Sequence, residues 1–268
     1  MKNIFYTGLI IANISSVSIA QDLSPLEIAQ LEENRNVGNT SIAQSQMTLI
    51  DKKGFERKRD VVIKTRQFED NKKTLVFFES PADIRNTAFL SYDWKQNGRL
   101  DDSWLYLPAL KKTKRLSSAD QSGAFVGTDF SIYDVNGIET DDWEYSLKNA
   151  SEMVDGHDTW VVNAVPNKKR VKDVKEKTGY AKYRAWIRKD IGYMVRAKFW
   201  VIEGKNIKYF NATDIKKIDG IWTAATQQMI TTHRGKKLHS TVISQTNIVY
   251  NSSIDEMDFR EQKLAKGL

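Results

Sequence analysis

The stretch Thr87–Tyr133 reads TAFLSYDWKQNGRLDDSWLYLPALKKTKRLSSADQSGAFVGTDFSIY, and the fold class turns on it. Phe89 and Leu90 open one strand. Trp104–Leu107 form the next, with Trp104 and Tyr106 on one face and Leu105 and Leu107 on the other. Both faces are apolar, so this strand should be covered on both sides. Pro108 ends it, because proline has no N–H to give to a ladder.

Working outward, the period-two pattern continues in both directions. Upstream, Met47 and Leu49 share a face, the segment 55–68 alternates charge with Val61 and Ile63, and Leu75–Phe78 is apolar on both sides. Downstream, the segments 141–147, 159–165, 180–188, 193–202, 206–213, 221–232 and 236–250 all read as strands. Short turns such as Asp155-Gly156, Glu203-Gly204, Asp219-Gly220 and Arg234-Gly235 join them, which predicts an antiparallel meander of roughly ten to twelve strands. Helix signals are few. Ser24, Pro25 and Glu27 form a capping box for a helix running to about Arg35, with Ile28 and Leu31 on its buried side. Ser118–Phe125 and the tail Asp255–Lys266 are further candidates, the tail capped by Ser253 and docked through Met257 and Phe259.

The first twenty residues are read as a cleaved secretory signal: Lys2, an apolar run Ile4–Ile14, then Ser18-Ile19-Ala20, with 21–268 as a single domain. This reading places the protein in an exported compartment. The sequence has no cysteine, so Gln21 carries no acyl anchor and no disulfide staples the fold. Net charge is +7, or +6 without Lys2, which suits an anionic lipid surface. Export argues against nucleic acid.

Enzyme chemistry finds little footing. His157 lies in a polar turn, His233 and His239 flank a hairpin turn, and no Gly-x-Ser-x-Gly elbow supplies a nucleophile. A metal would lack a third ligand beside His233 and His239. The pairs Asp101-Asp102 and Asp141-Asp142 point to opposite faces of a strand. The basic run Lys168–Lys177, interleaved with Asp173 and Glu176, reads as a mobile solvated hairpin or loop. No catalytic residue, metal or cofactor is therefore nominated.

The run WLYLPALKKTKR at 104–115, followed by Gly127-Thr128-Asp129-Phe130, resembles the periplasmic outer-membrane lipoprotein-sorting proteins of the LolA-like superfamily. Phe78-Glu79-Ser80-Pro81 and Thr87-Ala88-Phe89-Leu90 fit the same pattern, though Asn86 stands where that pattern has glycine. The likeness is closest to the branch associated with RND-type exporters. It implies a mainly β (α+β) fold, a strongly curved antiparallel sheet forming an open half-barrel closed by a few helices. It also implies a carrier that shuttles a lipid, or the acyl chains of a lipoprotein, between membranes. The expected partners are those acyl chains, an RND-family inner-membrane transporter and a transient membrane contact, with the chain acting as a monomer. Phe77, Phe89, Trp104, Tyr106, Leu107, Trp186, Phe199 and Met229 are the expected cavity lining. Pro108, Arg115, Asp129 and Phe130 are motif positions, with Arg115 and Asp129 paired to pin a lid. The rival reading is a non-enzymatic sensor or adaptor of the same fold that regulates a membrane complex.

Overall fold

The computed structural model describes residues 23–95 and 99–267, so the signal-peptide reading lies outside the described residues. Thirteen strands form one sheet. In chain order they are β1 (Thr40–Ile50), β2 (Glu56–Gln67), β3 (Asn71–Phe78), β4 (Ala88–Trp94), β5 (Asp102–Leu107), β6 (Lys112–Leu116) and β7 (Trp143–Val154). There follow β8 (His157–Pro166), β9 (Tyr180–Arg188), β10 (Met194–Val201), β11 (Ile207–Ile218), β12 (Ile221–His233) and β13 (Lys236–Tyr250). Their spatial order is β6-β5-β4-β3-β2-β1-β13-β12-β11-β10-β9-β8-β7, and every paired neighbour is antiparallel. Two meanders are thus joined at the centre by β1 on β13, in the register Met47↔Ile243 and Leu49↔Thr241. The sheet curves without closing, leaving β6 and β7 as its edges.

The expected half-barrel is present, with one strand more than the periodicity predicted. The addition is β6, whose Lys112, Lys114 and Arg115 hide a strand inside a basic cluster. Exposed lysines are what an edge strand carries to discourage pairing with another chain. Asn86 adopts a left-handed φ of +66°, a conformation asparagine tolerates better than most residues, so the turn before β4 keeps its shape without the glycine.

Helix α1 (Pro25–Glu33) begins with the expected capping box: Glu27 N–H donates to Ser24 Oγ at 3.3 Å, and Ser24 N–H to the Glu27 carboxylate at 2.8 Å. Ile28 and Ala29 are its buried residues, whereas Leu31 is 37% exposed, so the buried stripe is narrower than the sequence suggested. The basic run is neither a hairpin nor a loop. It holds α3 (Val171–Thr178), which buries Val174 and Lys177 three residues apart and stops at Gly179 with φ +72°. Between β6 and β7 the chain crosses the inner face in short turns and one helix, α2 (Ile132–Asn136), capped by Ser131. Phe125 of this crossing packs edge-on to Phe89, ring centroids 5.1 Å apart.

The outer face of β3–β5 is covered by the C-terminal tail. Ile254, Phe259 and Leu264 pack on Leu75, Ala88 and Leu90, with Phe77, Trp104 and Tyr106 beside them. The strand β5 is therefore covered twice, as its two apolar faces require. Asp255 caps the tail's first turn in place of Ser253, and Met257 stays exposed.

Candidate functional site

The concave face encloses a cavity of about 880 Å³. Its floor follows from strand alternation, since in-register neighbours share a face. The pairs Ile63↔Val76, Met47↔Ile243, Phe210↔Met229 and Val162↔Ala185 all reach it, and Phe199 joins them from β10. Phe125 and Phe130 of the crossing segment line it from within the barrel.

One end of the cavity is polar. It is bounded by α1, by Trp94 at the end of β4 and Lys95 just after it, and by the segment 134–141. Glu32 accepts from Met194 N–H at 2.6 Å and meets Arg35 at 3.1 Å; burial raises its carboxyl pKa while Arg35 pulls it back. The Arg35 guanidinium also lies 4.1 Å over the Tyr193 ring. Glu33 accepts from Thr140 N–H at 3.0 Å, which ties α1 to the 134–141 segment. Lys72 Nζ reaches Asp93 at 2.7 Å and donates to the Asn136 carbonyl at 2.8 Å.

Behind this end lies a buried ionic network. Lys177, 4% exposed, contacts Glu139 and stands 3.4 Å from Asp142, which Arg170 meets from the other side at 3.0 Å. Carboxylates outnumber the cations. Burial, reinforced by Asp93, pushes Asp101 up to about 6. Burial likewise carries Glu139 up to about 7 despite the pull of Lys177. Burial alone would lower the Lys177 ammonium, yet Glu139 and Asp142 hold it above its ordinary value. Carboxylate oxygens of Asp93, Asp101 and Glu139 lie within 4.8 Å of one another, close enough for a divalent ion, but Lys72 and Lys177 already occupy two of the three as counter-ions.

Asp129, one residue before the lining residue Phe130, anchors the crossing segment. Its carboxylate accepts from Thr231 Oγ1 at 2.5 Å and Thr241 Oγ1 at 2.8 Å, and lies 2.5 Å from His239 Nδ1. The crossing segment is thereby fastened to β12 and β13.

Of the expected lining residues, Phe199 and Met229 face the cavity, as does the motif residue Phe130. The others are placed elsewhere. Phe77, Trp104 and Tyr106 belong to the outer face, under the tail. Trp186 also points outward, donating its indole N–H to Glu152 at 2.8 Å, because Ala185 and Ile187 take the inward positions of β9. Phe89 is on the inner face but sealed behind Phe125, and Leu107 ends β5 half-buried ahead of the turn that Pro108 opens. Arg115 does not pair with Asp129. The register Trp104↔Arg115 turns it to the outer face, where it meets Asp102. None of the charged residues Glu32, Arg35, Asp101, Glu139 and Lys177 was nominated as a site residue: Asp101 entered only as one of a carboxylate pair and Lys177 only within a basic run, and the capping box fixes the helix that carries Glu32.

A family model described as "Uncharacterized protein" matches residues 70–266. Among solved structures the chain is similar to a domain from Vibrio parahaemolyticus named for outer membrane lipoprotein sorting. Identity there is 29% over 90% of this chain and 98% of that one, with a TM-score of 0.78. It is similar also to a DUF1329 family protein from Desulfovibrio piger, at 25% identity over 90% of this chain and 100% of that one, TM-score 0.79. A LolA superfamily protein from Nitrosomonas europaea shares the fold at 16% identity, over 90% and 99% of the two chains, TM-score 0.65. No curated protein matches the chain. The half-barrel that the chain shares with these structures is a LolA-like fold, and the match over 70–266 shows that the chain belongs to the family of that model.

Proposed function

We propose that this protein is a periplasmic carrier that holds a lipid, or the acyl chains of a lipoprotein, in the concave cavity and passes it between membranes. The observation that carries this reading is the 880 Å³ cavity with an apolar floor and one charged end. Its volume lies within the range of about 300–1,000 Å³ typical of ligand sites. An acyl chain exposed to water loses about 0.8 kcal/mol per methylene, so it leaves a bilayer only when an apolar shelter replaces that loss. Val76, Met229, Phe199 and Ile243 supply such a shelter, while Arg35, Lys72 and Lys95 stand where a polar head would remain. The 29% identity to the lipoprotein-sorting domain supports the same reading. The motifs at 104–115 and 127–130 nominate an RND-type transporter as the partner that loads or receives the cargo.

The test is native mass spectrometry of the protein purified from its own envelope, followed by lipid extraction and by titration with a fluorescent fatty acid. An adduct that displaces the fluorophore supports carriage. If no amphiphile copurifies and none can be loaded, the carrier reading fails while the fold stands.

A further inference from the structure

The turns β1–β2, β5–β6 and β12–β13 all lie at the end of the sheet away from α1. The segments 51–58, 108–115 and 234–239 carry eleven lysines and arginines against two acidic residues; Asp102 and Asp120 pair with Arg115 and Lys114, which leaves this end a net +7. All eleven basic side chains are exposed. Two apolar side chains project among them: Phe55, 69% exposed at the β1–β2 tip, and Leu110, 63% exposed at the β5–β6 tip. The pairing Ile50↔Ser240 beside Ile50↔Glu56 brings the β1–β2 turn, with Lys52 and Lys53, next to β13, and the β12–β13 tip with Lys236 projects a few residues beyond it.

We propose that this cationic end is a docking face for an anionic lipid bilayer, with the lysines on the headgroup phosphates and Phe55 and Leu110 inserted at the headgroup level. Charge complementarity argues for an anionic partner. Two further features select a bilayer over an acidic protein. Lysines outnumber arginines eight to three, whereas protein interfaces are enriched in arginine and depleted of lysine. The apolar residues sit singly on hairpin tips, suited to wedging between headgroups, and form no continuous patch for a protein to cover. Lysine stems also reach along an apolar boundary while their ammonium heads stay in water. The face shares no residue with the charged end of the cavity, so it stands or falls independently of the carrier reading.

The experiment is flotation of the cargo-free protein with phosphatidylethanolamine–phosphatidylglycerol vesicles and, separately, with pure phosphatidylcholine vesicles, at low and high salt. The protein should float with the anionic vesicles only, and less at high salt. Lys52→Gln with Lys53→Gln should weaken binding about thirty-fold, from roughly fivefold per lysine near an anionic surface. Phe55→Ser should weaken it about tenfold while keeping the salt dependence. Phe55→Trp should shift its emission to the blue on anionic vesicles, and Met153→Ser, an exposed position at the other end, should change nothing. Equal binding to both vesicles, no binding to either, or an unshifted Phe55→Trp emission overturns the proposal; the last two leave an acidic protein as the occupant. Phe55 and both lysines are exposed, so these variants keep the fold.

Discussion

Replacing Lys177 by methionine probes the network behind the charged end of the cavity. The ammonium is 4% exposed and stands between Glu139 and the fully buried Asp142, leaving Arg170 as the other cation on Asp142. Methionine fills much of the same volume and removes only the charge, so the loss is that of an uncompensated buried carboxylate, about 3–5 kcal/mol. For a chain of this length each kcal/mol moves the midpoint by about 2–4 °C, giving a fall of about 10 °C at pH 8. The assay is thermal unfolding followed by near-ultraviolet circular dichroism, repeated at pH 5. Acid should shrink the deficit, because protonation of Glu139, which burial carries up to about 7, removes the charge that Lys177 had balanced. Adding Asp142→Asn should restore part of the midpoint for the same reason. A fall below about 3 °C at pH 8, or a deficit unchanged at pH 5, would refute the account of this network.

Asp101 at about 6 and Glu139 at about 7 lie above their ordinary values, so the folded chain keeps protons there that the unfolded chain has released. Their contribution to stability is full below about pH 4 and is lost as pH rises through 6 to 7; together they should make the protein about 5–6 kcal/mol less stable at pH 8 than at pH 4, and Asp101→Asn with Glu139→Gln should flatten that slope in denaturant titrations. Ala185→Phe, on the cavity floor, should abolish fatty-acid uptake at a cost in stability of about 1–3 kcal/mol, whereas Trp104→Phe and Trp186→Phe should leave uptake unchanged; the reverse pattern in a fluorescence titration would place the ligand on the wrong face. Phe259→Ala should cost about 3–5 kcal/mol by chemical denaturation without changing lipid affinity, because its fully buried ring packs on the outer face.

Alternation and turn residues made the meander legible, and the resemblance supplied its curvature. Which face turns inward was harder. In β5 both faces are apolar, so nothing local says that Trp104 and Tyr106 go under the tail while Leu105 and Leu107 take the inner side. In β9 side-chain size misleads: a cavity needs small residues on its wall, so Ala185 lines it and Trp186 does not. The charged end was illegible for a different reason. Glu32, Asp101, Glu139 and Lys177 come from well-separated parts of the chain and form no local motif, and a lysine within a basic run looks solvated until α3 turns it inward.

The seam between β1 and β13 pairs Ser41 with Tyr250, so the middle of the sheet waits for the last strand to be made. Each half can assemble beforehand from neighbouring hairpins, but the contact that unites them spans most of the polypeptide, and such long-range closure is slow. Until it forms, β1 and β13 both present open edges to other chains. A chain cut short before residue 236 would keep twelve of its thirteen strands and still lack the stitch between its halves, making it prone to aggregation from the centre outward.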